Sequence, residues 1–203
     1  MRIFCEPHRD LRSVLTIFLD NEPWRNIHTT IFGRRPLLPE SCLSEQEFRA
    51  QFFVFEHRYA KNYALRRLSL QAMLSQALAR SLKERLVSEK TIVLVLGELK
   101  ALGLINDEEW TASFVRGLER KKMGPRAIAQ KLASKGIKRE GIELALEHSK
   151  GSTDQEASVL ALLGSRYAKK NLSDFREKQK VTASLMRRGF DLTIILKCLD
   201  KKY

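Results

Sequence analysis

One pattern occurs twice in the sequence and limits the fold more than any other feature. Its two copies are LASKGIKREGIELAL at 132–146 and LMRRGFDLTIILKCL at 185–199. Both read Leu, three residues, Gly, an apolar residue, four residues, Ile, three residues, Leu. Gly136 and Gly189 fall where a helix ends on a left-handed residue, a conformation that Gly adopts at little cost. The pattern therefore predicts a helix, a tight corner and a second helix.

The apolar positions of the pattern suit both helix ends at the corner. Leu132 and Ile137 occupy the positions whose side chains touch in a Schellman ending. Ile137 and Ile142 then form the hydrophobic staple that opens the next helix. Phe190 has the same double role in the second copy, where Asp191 supplies a favourable N-cap. We expect two corners of one design.

A third and weaker copy covers 82–96, LKERLVSEKTIVLVL. Leu86 replaces the glycine, and because Leu disfavours a left-handed backbone the geometry of this corner stays open. The letters TIVLVL alone are typical of a buried strand. The register shared with the other copies, with Ser88 as N-cap, favours a helix instead. Offsets of 50 and 53 residues between copies indicate repeated helical modules.

The first 60 residues follow another pattern. SVLTIFL, DNEP and WRNIHTTIF are typical of a strand, a turn and a strand. The letters SEQE at 44–47 form a capping box that opens a helix through FRAQFFVFEHRYA. This region is therefore predicted to be a small appendage on a helical body.

Together these signals predict a mainly α protein of tandem three-helix modules, three repeats in an elongated arrangement, with a small N-terminal β-hairpin/helix appendage. The predicted divisions are 1–60 for the N-terminal segment and 61–104, 105–150 and 151–203 for the modules. The letters GST at 151–153 are expected to break the chain between the last two modules.

The net charge of +13 is concentrated in two stretches. Nine cationic residues and one acid lie within 116–139, and eleven cationic residues and four acids lie within 165–203. This localisation indicates a basic face directed at a polyanion, although an ordinary solvated helical surface explains it equally well.

Several function classes find no support in the sequence. Cys5, Cys42 and Cys198 lie far apart and the four histidines are scattered, so neither a disulfide framework nor a metal site is expected. The longest apolar run, IVLVL, is far shorter than the ~20 residues of a membrane span. The letters HRD at 8–10 have no accompanying kinase motifs, and no P-loop is present. We therefore expect a cytoplasmic protein without catalysis, cofactor or membrane partner.

The motifs, taken in chain order, resemble the RecX family of bacterial RecA regulators. The matching segments are TIFLDNEPW, ALRRLSLQAML, LGLINDEEWTASFV, MGPRAIAQKLASKGI and LMRRGF. The resemblance extends over roughly residues 12–200, with Leu86 as one departure. It implies a protein that binds RecA, occupies the groove of the RecA filament on single-stranded DNA, and restrains filament growth, ATP hydrolysis and recombination.

Binding of such a nucleoprotein surface would fall to exposed cations, because Lys and Arg meet phosphates and acidic side chains. The candidates lie off the predicted core stripes of the second and third modules. They are Arg126, Lys131, Lys135, Lys138, Arg139, Lys178, Lys180, Arg187, Arg188 and Lys197. A purely structural role competes at Lys135 and Arg188, since a cation at a helix C-terminus stabilises it by ~0.3–1 kcal/mol without any partner.

Two other functions stay open at this point. Helix–corner–helix units also suit a stand-alone binder of duplex DNA such as a transcription factor, and a basic face suits a scaffold for an acidic protein. Nothing in the sequence demands a dimer, so a monomer is expected.

Overall fold

The computed structural model describes residues 1–150 and 155–202, and within these ranges the chain is mainly helical. The predicted GST break at 151–153 lies outside the described residues. Two compact units divide the chain, Met1–Asp107 and Glu108–Tyr203. In the described part of the chain, no helix is both long enough and apolar enough to cross a membrane.

The first unit begins with strands β1 (Ile3–Pro7), β2 (Val14–Leu19) and β3 (Glu22–His28). Its helices are α1 (Thr29–Phe32), α2 (Glu45–Leu70), α3 (Ser75–Lys83) and α4 (Glu89–Ala101). The second unit contains α5, α6, α7, α8, α9 and α10. Their bounds are Asp107–Arg120, Pro125–Ser134, Arg139–Lys150, Gln155–Gly164, Phe175–Arg187 and Leu192–Lys202. The mainly α fold class is confirmed, and the segment TIVLVL is helical within α4.

The sheet differs from the predicted hairpin in having a third strand. β1 pairs antiparallel with β2, and β2 pairs antiparallel with β3, so β2 lies in the centre. The turn is shorter than DNEP, because Asp20 and Asn21 alone connect β2 and β3, both with positive φ as tight hairpin turns require. The letters TTIF form α1 rather than strand, since the His28 imidazole caps the Thr30 N–H at 3.0 Å and starts a helix there.

The sheet and the first helices share one core. Ile17 and Ile27 of the sheet are fully buried together with Phe48 and Phe52 of α2, and the same cluster includes Leu82 of α3. The predicted capping box opens α2, where the Ser44 side chain accepts the Glu47 N–H at 3.2 Å. α2 then continues through residue 60, the position of the first predicted domain division, to Leu70. The domain divisions themselves stay a prediction.

All three corners have the same backbone. The residue at the corner is left-handed in each, with φ of 61° at Leu86, 85° at Gly136 and 90° at Gly189. Both Schellman hydrogen bonds form every time, as in the 3.2 Å bond from the Val87 N–H to the Leu82 carbonyl and its counterpart from the Ile137 N–H. The absence of glycine at Leu86 therefore leaves the geometry of the first corner unchanged.

The helices of the second unit form two apolar clusters. One contains Val115, Leu118, Ile128 and Leu132 of α5 and α6, packed against half-buried residues of α7. The other is built by α8, α9 and α10 and includes Val181, Leu185, Phe190, Ile195 and Leu199.

Candidate partner-binding surface

The three corners have one geometry but different surroundings. We refer to the three corners by their left-handed residues: the Leu86 corner joins α3 to α4, the Gly136 corner joins α6 to α7, and the Gly189 corner joins α9 to α10. What touches each corner decides whether it is available to another molecule.

The Leu86 corner is held by side chains from the sheet and from α2. Arg25 donates from Nη2 to the Leu86 carbonyl at 3.2 Å and to Glu56 Oε1 at 2.6 Å. Glu56 is only 1% exposed, and its carboxylate also accepts the Ser88 N–H at 3.1 Å and the hydroxyls of Ser88 and Thr91, each at 2.5 Å. A buried carboxylate needs such donors to offset its desolvation. The corner is thus fastened inside the first unit.

The burial of Glu56 has a signal in the sequence that lies outside the motifs described above. Phe48, Phe52, Glu56, Ala60 and Ala64 follow one another at four-residue intervals and are all buried. Residues spaced by four lie on one face of a helix. A single Glu on an otherwise apolar stripe therefore indicates a buried carboxylate with partners from another element.

The Gly189 corner is held by the segment that joins α5 to α6 and by the first turn of α6. The Gly124 N–H donates to the Arg188 carbonyl at 2.8 Å, and the Arg126 N–H donates to the Gly189 carbonyl at 3.2 Å. The side chain of Arg126 also pairs with Asp191 at 2.6 Å. Hydrogen bonds from Thr193 and the nearby charge of Arg126 lower the pKa of the Asp191 carboxyl.

Two glycines allow this close approach. A Cβ on Gly189 would lie 2.2 Å from the Ala127 nitrogen, and a Cβ on Gly124 would lie 2.4 Å from the Gly189 carbonyl carbon. Real Cβ atoms do not come so near to backbone atoms, so any side chain at either position forces the main chains apart. Gly189 thus serves both the turn of the corner and the docking of the second module on the third.

The Gly136 corner is open. Residues 133–136 and 138–140 are exposed, and Ile137 is half-buried. Among the described residues, none outside α6 and α7 forms a hydrogen bond with residues 133–139. Four cations and no acid lie between Lys131 and Arg139 in the sequence. The corner therefore projects positive charge that the described chain does not cover.

The cations of the Gly136 corner differ in how they are used. Arg139 pairs with Glu143 one turn along α7 at 2.8 Å, which raises the pKa of the Arg139 guanidinium. Lys131, Lys135 and Lys138 are exposed and make no ion pair with any residue in 1–150 or 155–202. These three lysines are the members of the predicted site that the fold brings together without neutralising.

The residue just before each left-handed position gives a direct comparison. Arg85 donates to the Ser81 carbonyl at 2.7 Å and lies over the Tyr63 ring, and Arg188 donates to the carbonyls of Lys121 and Lys122 at 3.2 and 3.4 Å. Lys135 occupies the same register and makes no such contact within the described residues. Arg85 and Arg188 at the two docked corners thus contact other parts of the chain, whereas Lys135 at the open corner makes no such contact in the described chain.

Most predicted cations of the third module are neutralised by acids. Lys178 pairs with Asp200 at 3.2 Å, Lys180 pairs with Glu177 at 3.1 Å, and Lys197 pairs with Glu156. Lysine partners lower the pKa of both glutamates, Lys170 and Lys180 acting on Glu177 and Lys197 and Lys201 on Glu156. Arg187 is exposed and has no ion pair among the described residues.

Aromatic and metal-binding chemistry adds little to this surface. Trp110 and Phe114 of α5 are half-buried, their ring centroids lie 4.9 Å apart in a stacked arrangement, and Phe114 packs against the cluster of α5 and α6. In the residues that the structure describes, no cluster of three or more His, Cys, Asp or Glu side chains is arranged to hold a metal ion.

The repeated corners and the helices that they join define a protein of tandem three-helix domains with a small N-terminal sheet. Two family models match the chain, RecX, second three-helix domain, at residues 106–146 and RecX, third three-helix domain, at residues 154–199. The chain belongs to the RecX family.

Relatives and solved structures agree with this assignment. The regulatory protein RecX of Caldanaerobacter subterraneus is 26% identical over 95% of both chains. That of Levilactobacillus brevis is 31% identical over 69% of this chain, but the match spans only 53% of that longer protein. A crystal structure of regulatory protein RecX superposes with a TM-score of 0.65 at 25% identity, covering 98% of both chains.

Proposed function

We propose that this protein is a mainly negative regulator of the RecA recombinase. In this proposal the chain binds, as a monomer in the cytoplasm, in the groove of the RecA filament on single-stranded DNA. It limits filament growth, ATP hydrolysis and strand exchange without catalysing a reaction itself. Membership of the RecX family and the relatives named regulatory protein RecX support the regulatory role.

One observation carries the choice of contact surface: the Gly136 corner is open while its two counterparts are docked. Lys131, Lys135 and Lys138 cluster there without acidic partners in the described chain. Like charges held close together repel one another, and a surface of phosphates or carboxylates relieves this repulsion. We therefore assign these three lysines the main contact with the filament, with Arg187 as a further exposed cation.

The remaining predicted cations play a smaller part in this proposal. Arg126 and Arg188 hold the Gly189 corner, and Lys178, Lys180 and Lys197 have acidic neighbours. An exposed ion pair is worth only ~0–1 kcal/mol, so these lysines can exchange partners at little cost. They would supply general attraction to a polyanion rather than a defined contact.

The test is the ATP turnover of preformed RecA filaments on single-stranded DNA. The variant Lys131→Gln/Lys135→Gln/Lys138→Gln removes three charges from the Gly136 corner. The matched control Lys178→Gln/Lys180→Gln/Lys201→Gln removes three charges from the third module. We expect the corner variant to need about tenfold more protein for half inhibition, equivalent to about 1.4 kcal/mol, and the control to stay within about twofold of the parent.

Equal weakening by both variants would mean that overall charge, not the corner, drives binding. Failure of the parent protein to slow ATP turnover, together with tight and sequence-selective binding to duplex DNA, would replace the RecA proposal with a stand-alone DNA-binding function.

A further inference from the structure

The first unit contains an arginine-lined cleft that the proposed function does not use. The loop between β1 and β2 and the segment after α1 enclose about 480 Å³ at one end of the sheet. Arg9 and Arg12 of the loop and Arg34 after α1 line it, and all three are exposed. We define the arginine cleft by these three residues together with Asp10, the one acid in its lining.

The loop that carries two of these arginines is fixed by its own hydrogen bonds. The Nδ1 atom of the His8 ring accepts the N–H groups of Asp10 at 3.2 Å and Leu11 at 3.3 Å. Thr29 donates its N–H at 2.8 Å and its hydroxyl at 3.2 Å to the Ser13 carbonyl. These bonds tie the loop to the start of α1, close to Arg34 in the chain. The cleft is therefore formed before any ligand arrives, which lowers the entropic cost of binding.

The arginines of the cleft are not neutralised by the described part of the chain. Arg9, Arg12 and Arg34 make no ion pair there, whereas Arg25 and Arg49 of the same unit each pair with a glutamate at 2.6 Å. Asp10 leaves the lining with a net positive charge. Guanidinium groups are planar forks whose donors match the oxygens of a phosphate, so three arginines in the lining of one cleft favour that ligand.

We propose that the arginine cleft binds a phosphate group, carried either by single-stranded DNA or by a free nucleotide. The volume lies within the ~300–1,000 Å³ range of small-ligand sites, large enough for one nucleotide. Asp10 opposes the bound phosphate and weakens the affinity. The cleft belongs to a different unit from the Gly136 corner, so this proposal and the RecA proposal can fail separately.

The test measures binding of the full chain, without RecA, to a fluorescently labelled oligothymidine and, in a second arm, to a fluorescent ATP analogue. The variant Arg12→Gln/Arg34→Gln is compared with Arg58→Gln/Arg66→Gln, which removes the same charge from exposed positions of α2. We expect the cleft variant to raise the Kd of at least one ligand about tenfold while the control stays within about twofold. For the oligonucleotide, loss of the one phosphate contact in the cleft should reduce the slope of log K against log salt by about 0.7.

A second variant is expected to change the Kd in the opposite direction. Asp10→Asn removes the opposing charge, keeps the main-chain bond to His8 and should lower the Kd about two- to threefold. A loss confined to the oligonucleotide arm assigns the phosphate to the strand, and a loss confined to the nucleotide arm assigns it to a free nucleotide. The proposal is overturned if the two double variants behave alike in both arms, or if neither ligand binds the parent, with far-UV circular dichroism showing all variants folded.

Discussion

The Gly189 and Gly136 corners have the same left-handed residue, the same two Schellman bonds and the same staple positions. The Gly189 corner is buried against the start of α6 and the segment before it, whereas the Gly136 corner faces solvent with its lysines exposed. The sequence pattern therefore sets how the chain turns, whereas residues more than 60 positions away decide what the turn is used for. A corner without an internal partner in the described chain is available to an external one.

The largest effect is expected from adding one methyl group at each of these two glycines. Gly189→Ala strains a left-handed backbone, at ~1–2 kcal/mol, and forces a Cβ to within 2.2 Å of the Ala127 nitrogen. Overpacking adds ~1–3 kcal/mol, so the free energy of unfolding should fall by about 3 kcal/mol. Urea unfolding followed by circular dichroism measures the change.

Gly136→Ala is the matched control for that prediction. Its φ of 85° is nearly the same as that of Gly189, but Gly136 is exposed, so we expect a loss close to the backbone strain alone, ~1–2 kcal/mol. Equal losses in the two variants would show that docking of the Gly189 corner contributes nothing to stability.

A smaller effect is expected where the pattern lacks its glycine. Leu86 holds φ at 61° and its side chain is 38% exposed. Leu86→Gly relieves ~1–2 kcal/mol of backbone strain but gives the unfolded chain ~0.5–1 kcal/mol more conformational entropy. The net result should be a gain of about 0.5 kcal/mol, measurable as a higher urea midpoint. A clear loss would mean that contacts of the Leu86 side chain outweigh the strain.

The smallest effect concerns pH and His28, the N-cap of α1, which lies near the charge of Arg85. Burial and the neighbouring charge of Arg85 lower the pKa of His28, whose neutral ring caps α1. Because the unfolded chain then binds more protons between this lowered pKa and ~6.5, the contribution of His28 is fully present above pH ~6.5 and is lost as pH falls through that window. Thermal unfolding should show a decrease in Tm between pH 7 and pH 5 that His28→Asn reduces.

An Asn at this position keeps a capping side chain without a titrating group. Arg85→Gln should raise the pKa of His28 as followed by NMR titration. An unchanged His28 titration in that variant would remove Arg85 as a cause.

Local rules predicted much of this fold because they depend on residues only a few positions apart. Such spacing predicted the corners at Gly136 and Gly189 and the capping box at Ser44. It also predicted that TIVLVL is helical. The third strand escaped prediction because IFCEP is short and gains its stability by pairing with β2. Leu86 adopts a conformation against its own preference because Arg25 and Glu56 hold the corner from outside.

The candidate site was predicted less completely than the fold. Composition located the basic stretches, but it could not separate Arg126, which meets Asp191 across 65 positions, from Lys131, which meets no acid in the described chain. The neutralising partner of a cation depends on tertiary packing, and a linear charge count does not contain that information.

The carboxylate of Glu56 has a consequence for how the chain acquires its structure. It accepts hydrogen bonds from residues 25, 88 and 91. The start of α4 therefore completes its hydrogen bonds only when β3 and α2 are in place. Contacts between residues so far apart in the sequence form slowly, because the loops between them must close first. We therefore expect the first unit to unfold in one cooperative transition. We also expect an isolated peptide that contains only α3 and α4 to be unfolded.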